Sequence, residues 1–178
     1  MKSCVWASGL LILIGTTHFN FAGSKPVFTS VYTDAEDCRW GQEITGVEPE
    51  NDDYKECKGI DGYYIHESYS ASNTYKTIRH DSLQFHIDLS PKANCPTHAF
   101  GKKIEWRLAD GKPFAIIYRI GCLSDSENEK KRFTKLSEYL IVRGLAGQTI
   151  AADFDTKRTA NANEQARSAA DAGFTRRE

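Results

Sequence analysis

Apolar residues in this chain recur mostly at every second position, the period of a strand with one buried face. The clearest run spans residues 103–120. Ile104, Trp106 and Leu108 alternate with polar residues, Asp110-Gly111 interrupts, and Phe114, Ile116, Tyr118 and Ile120 alternate back. An Asp-Gly step between two alternating runs predicts a tight hairpin, because both turn positions need a backbone conformation that Asp and Gly tolerate. A second pair is predicted at 62–70, with Tyr63, Ile65 and Tyr69, and at 74–79. The run 82–89 follows with Leu83, Phe85, Ile87 and Leu89 on one face, so the three segments read as a meander. Residues 27–33 read as the first strand, 139–145 as a strand after a charged loop at 124–132, and 149–154 as a shorter one. Near the C-terminus the period changes: Ala162, Ala166, Ala169 and Ala170 share one helical face. A helix is predicted over about 160–173, with Asn161 as N-cap, Glu164 three residues on, and Gly173 as a left-handed C-terminal residue. Its alanine stripe permits close packing on the sheet, with Phe174 as the anchor. The expected fold class is mainly β (α+β): a predominantly antiparallel, meander- or sandwich-like sheet, one short C-terminal helix and two disulfides.

The first residues change the setting. Lys2, an apolar run over 5–15 and a small-residue step at Asn20-Phe21-Ala22 read as a secretory signal peptide covering 1–22. The 178 residues less these 22 leave 156, so 23–178 reads as a single secreted domain. No later stretch has the roughly twenty apolar residues of a transmembrane helix. The compartment this implies is periplasmic or extracellular, and oxidising. Cys4 leaves with the leader, while Cys38, Cys57, Cys95 and Cys122 read as two disulfides. Four cysteines allow three pairings. The sequential one is favoured: Cys38 with Cys57 closes a segment with little hydrophobic periodicity, and Cys95 with Cys122 ties a loop to a strand end. Each link is worth on the order of 3 kcal/mol by chain entropy.

The whole chain has 23 basic and 24 acidic residues; without Lys2 the balance is 22 − 24 = −2, which gives no basic footprint for nucleic acid. The charge is uneven. Residues 34–56 hold nine acids against Arg39 and Lys55, and later segments hold the bases, among them Lys102, Lys103, Arg107, Lys112 and Arg119. An acidic side and a basic side are expected, and the partner this favours is a protein with a basic surface.

Ser30-Val31-Tyr32-Thr33, Cys38, Cys57-Lys58-Gly59 with Gly62-Tyr63, Ala162-Asn163, and Ala166-Arg167-Ser168-Ala169-Ala170-Asp171 together resemble small uncharacterised secreted proteins of Gram-negative bacteria. The resemblance implies export and a single sheet-rich domain. It carries no assigned activity and no catalytic residue.

Candidate chemistry is sparse. His66, His80 and His86, with Glu67, Asp81 and Asp88 close by in sequence, are the candidate metal group, but no His-Glu-x-x-His or paired Cys-x-x-Cys spacing supports one. A hydrolase would need Ser68 or Ser82 beside His80 and Asp81. On a strand, His80 and Ser82 face one way and Asp81 the other, and no Gly-x-Ser-x-Gly elbow is present. Glu50, Asn51, Asp52 and Asp53 offer hard oxygens to calcium without EF-hand spacing. No cofactor is expected. Tyr54, Tyr63, Tyr64, Tyr69 and Tyr75 cluster, and alternation buries Tyr63 and Ile65 while leaving Tyr64 and His66 exposed beside the acidic segment. The candidate binding residues are therefore Tyr64, Glu50, Asp52 and Asp53. The expected function is an exported, non-enzymatic binding domain of the bacterial envelope. The alternatives are an inhibitor of a cationic envelope-directed enzyme such as lysozyme, and a metal-binding protein or hydrolase built on His66, His80 and His86.

Overall fold

A computed structural model describes residues 24–40, 54–70, 73–83, 86–90, 95 and 97–176. The predicted leader over 1–22, and Glu50, Asp52 and Asp53, lie outside the described residues. Ten strands are described: β1 (Phe28–Asp34), β2 (Cys38–Trp40), β3 (Tyr54–Lys58), β4 (Tyr63–Ser70), β5 (Asn73–His80), β6 (His86–Asp88), β7 (Thr97–Ala109), β8 (Lys112–Leu123), β9 (Lys135–Gly144) and β10 (Ala151–Asp155). One helix follows, α1 (Ala162–Ala172). All pairings are antiparallel. They form a central sheet in the order β1-β7-β8-β9-β10 and a flanking sheet in the order β2-β3-β4-β5-β6.

The alternation explains the layers. On the central sheet Ile104, Trp106, Leu108, Ile116, Tyr118, Ile120 and Ile141 face the flanking sheet, where Cys57, Tyr63, Ile65 and Ile78 meet them in one core. The intervening residues of β8 and β9, Ala115, Ile117, Leu140 and Val142, face the other way and pack with Phe114, Ala166 and Ala170 in a second core. The centre of this sheet is thus covered on both faces, which is why β8 and the second halves of β7 and β9 are nearly continuously buried. Asp110 and Gly111 take φ of 49° and 82°, the two positive values that a two-residue hairpin of this hand requires.

The helix is as placed by sequence, but its ends differ. Asn161 adopts a left-handed φ of 50° and makes no side-chain cap bond. Gly173 is right-handed, with φ −85°. Glycine is required there by proximity, since a Cβ would meet Ile150 Cγ1 at 2.8 Å. Phe174 does anchor the helix, with its ring 4.9 Å from Phe114 and 5.7 Å from Phe28. Of the strand expected over 82–89, His86–Asp88 is present, and 84–85 lie outside the described residues. The Ser82 amide turns back to His80 Nδ1 at 3.2 Å, and Leu83 is left exposed.

Between helix and sheet lies a buried ionic layer. Arg107, counted by sequence with the basic side, is buried and donates to both carboxylate oxygens of Asp171 at 2.7 and 2.6 Å. Glu105 accepts from Arg167 Nε at 2.7 Å and from Ser30 Oγ at 2.5 Å. Burial alone would raise the Glu105 pKa. The bonds from Arg167 and Ser30 and the Arg167 charge outweigh it and hold that carboxyl below its usual range.

The disulfides are Cys38–Cys57 and Cys95–Cys122, the sequential pairing. Cys38 and Cys57 are also direct cross-strand partners of β2 and β3. β2 has three residues and, among the described residues, pairs with β3 alone, so the covalent link does much of its holding. Replacing both cysteines by serine is expected to lower stability by on the order of 3 kcal/mol. Amide exchange should quicken at β2 and β3 before it does at the Asp110-Gly111 hairpin. Equal quickening at both places would contradict that local role.

A candidate binding cleft on the flanking sheet

On β3, β4 and β5 the odd and even positions separate cleanly. Cys57, Ile65 and Ile78 stand in one row facing the core. Lys58, Tyr64 and Arg79 form the next row, and Glu56, His66 and Thr77 another, both on the outer face. Where these rows run out, beside the Asp61-Gly62 turn, the surface sinks into a cleft of about 610 Å3. Tyr64 and Glu56 line it, with Asp37, Asp61 and Asp81 adding carboxylates and Arg39 and Lys58 adding bases. The cleft lining therefore has four carboxylates against two cationic side chains.

Burial raises the Glu56 pKa and the Asp81 charge adds to it, while Arg79 and Arg39 oppose. Burial likewise raises the Tyr64 phenol, helped by the Glu56 charge and countered by the charge and hydrogen bond of Arg79. Tyr64 and His66 lie on the outer face as alternation predicted, yet both are half-buried rather than exposed. Tyr54 stacks on the His66 ring with centroids 4.9 Å apart, and His66 Nδ1 lies 3.8 Å from Glu56 Oε1.

The histidines are separated by the same alternation. His80 belongs to the core-facing side, opposite His66, with its ring edge-on to Tyr63 at 4.5 Å. Its Nδ1 accepts the Ser82 amide, so Nε2 carries the proton and donates to the Asp61 carbonyl at 3.1 Å. Nε2 thus holds the Asp61-Gly62 turn and Nδ1 the Ser82 amide. Ser82 Oγ stands 3.4 Å from Nδ1, which already serves that residue's own amide. His86 pairs in register with Arg79. Among the described residues, no three His, Cys, Asp or Glu side chains are placed to share a metal ion. The charged loop at 124–132 is closed by the Phe133 amide on the Ser124 carbonyl at 2.9 Å and presents an exposed Phe133.

Sequence reasoning missed Arg79, and it named Asp81 only beside His80 rather than at this cleft. The signal was the register of the β4/β5 hairpin, which sets Arg79 directly beside Tyr64.

The fold and cleft define a disulfide-linked antiparallel β-sandwich with one packed helix and an acid-rich depression beside a tyrosine. Comparison with known protein families, with curated proteins and with solved structures finds no match to this chain.

Proposed function

We propose that this chain is an exported, non-enzymatic binding domain whose cleft beside Tyr64 receives a basic side chain of a protein partner. The observation that carries the reading is the surplus of carboxylates around one half-buried aromatic residue. A guest cation there gains Coulomb attraction from Asp37, Asp61 and Asp81, and it offsets the cost of ionising the partly buried Glu56. Tyr64 supplies a ring face on which an alkyl-ammonium or guanidinium group can rest. Two disulfides, and no described helix long and apolar enough to cross a membrane, fit an oxidising envelope compartment. Within this reading a cationic envelope-directed enzyme such as lysozyme is the partner class that the charge favours, with electrostatic steering as its mode of encounter.

Calorimetric titration with a lysozyme tests the proposal. Tyr64→Ala is expected to weaken binding about tenfold or more, the roughly 1.4–2 kcal/mol of a central aromatic anchor, and Asp81→Asn is expected to weaken it less. Affinity should rise as pH climbs through the raised Glu56 pKa, above the ordinary glutamate value, because the cleft gains a negative charge. Glu56→Gln should flatten that rise. Equal affinity for all the variants, or no binding, would overturn the assignment of the cleft.

A further inference from the structure

Alternation fails on one row of the flanking sheet. Register sets Lys55, Glu67 and Lys76 side by side on β3, β4 and β5, two residues along from Cys57, Ile65 and Ile78 and therefore on the same core-facing side. A charged row where the pattern calls for hydrocarbon is where function is expected, because a buried ion pair is seldom more stabilising than the apolar residues that would replace it. In front of the row lies a cavity of about 290 Å3, lined by those three side chains, by Phe100 and Gly101 of β7, and by the exposed Glu36. It shares no lining residue with the cleft beside Tyr64. Lys76 is 8% exposed, which is deep for a lysine. Its ammonium has three donors. Among the described residues Glu67 is the one carboxylate in ion-pair reach of Lys76 Nζ, at 2.5 Å, and the Phe100 ring centroid lies 5.3 Å from it. A buried ammonium is thus left with donor capacity unspent beside the cavity. Lys55 adds a second cation, its Nζ 4.2 Å from the Trp40 ring centroid. Tyr118 stacks on Phe100 with centroids 5.8 Å apart, and its buried hydroxyl has no hydrogen-bond partner among the described residues. Burial, and then the Glu67 charge, raise the pKa of that phenol, so it lies in the field of the same carboxylate.

We propose that this cavity binds a small carboxylate anion, with its oxygens on Lys76 and Lys55 and its hydrocarbon tail against Phe100. The row carries two positive charges and one negative, so one added monoanion makes it neutral. A dianion such as phosphate would bring a second charge against Glu67 with no cation left to balance it. A carboxylate supplies lone pairs for the unspent ammonium donors in a planar group narrow enough to lie between two lysines. Water filling the same space would accept those donors too, but it would leave the surplus positive charge of the row uncompensated.

Amide proton–nitrogen correlation spectra of the purified, oxidised protein test it, in titrations with sodium acetate, propionate and butyrate against sodium chloride at matched ionic strength. Saturable shifts are expected at the amides of Glu67, Lys76 and Gly101, with an acetate dissociation constant on the order of 1 mM for so small a ligand. Each added methylene should tighten binding about fourfold as the tail covers Phe100. The butyrate methyl group should show a nuclear Overhauser contact to the Phe100 ring. Lys55→Gln should weaken butyrate about tenfold, the loss of one charge-assisted hydrogen bond. Replacing Lys76 and Glu67 together by Met strands neither partner of the buried pair and should abolish binding, with the melting temperature reporting whether that variant folds. Should it not fold, Lys55→Gln and the Phe100 contact decide. Shifts that chloride reproduces, no gain from acetate to butyrate, a methyl contact elsewhere than Phe100, or undiminished binding in either folded variant overturns the proposal.

Discussion

Trp106→Ala is expected to cost about 3–5 kcal/mol, among the largest losses any single truncation in this core can cause. Trp106 is fully buried between the two sheets, with Ile104 and Leu108 beside it on β7 and the Tyr63 ring 6.1 Å away across the interface. Its indole Nε1 donates to Thr33 Oγ1 at 2.8 Å, which ties β7 to β1 through a side chain as well as through the backbone ladder. Alanine would remove the apolar area, leave a cavity and strand the Thr33 hydroxyl. Trp106→Phe keeps most of the volume and isolates the bond, so its cost should be much smaller. Urea unfolding with an unchanged m-value is the measurement. A loss below about 1 kcal/mol for the alanine variant would mean that the sheets do not close over this residue.

Asp171→Ala should be comparably severe, again about 3–5 kcal/mol, for an electrostatic reason. Arg107 has 6% of its surface exposed and gives three hydrogen bonds to that one carboxylate; without it a guanidinium remains buried against Ser30 alone. Desolvation, rather than the attraction itself, sets the size of the loss. The double replacement Arg107→Met with Asp171→Leu should therefore be less harmful than Asp171→Ala by itself. If the double proves worse than the single, the pair contributes net attraction beyond the desolvation of its two charges, and the explanation fails. Denaturant midpoints of the two single variants and the double decide it through their coupling energy.

These two residues also mark what was legible in the sequence. Trp106 stood in an alternating run closed by Asp110-Gly111, and both the hairpin and its buried face followed from that pattern alone. Alternation says only that Glu105 and Arg107 point away from Trp106. It does not say whether water or another layer lies there. Here α1 lies there, and it meets the strand with Arg167 and Asp171 as well as with Ala166 and Ala170. A charged position on a strand reads as solvent-facing until the element that covers it is known. The division into two sheets was hidden for a related reason. The local pairing of β4, β5 and β6 was visible, but the pairing of β1 with β7 depends on residues 77 apart, as in the Arg107 to Ser30 contact, and no local pattern encodes it. At the candidate cleft, Tyr64 and its face were readable from period two. Its neighbours came from a register that places Arg79 beside it and from a turn that brings Asp81 round.

The strand order has a temporal consequence as well. Every described ladder except one joins strands that are consecutive in the chain, so each can close as soon as its second strand exists. β1 is the exception. It is the first of the described strands to be synthesised, yet its partner ends at residue 109 of 178, so more than half of the chain must be made before its ladder can form. Throughout that interval both of its edges are open, and closing one of them on β7 spans the longest loop among the described ladders. With a single charge and no proline, Phe28–Asp34 therefore makes the nascent chain vulnerable to mispairing.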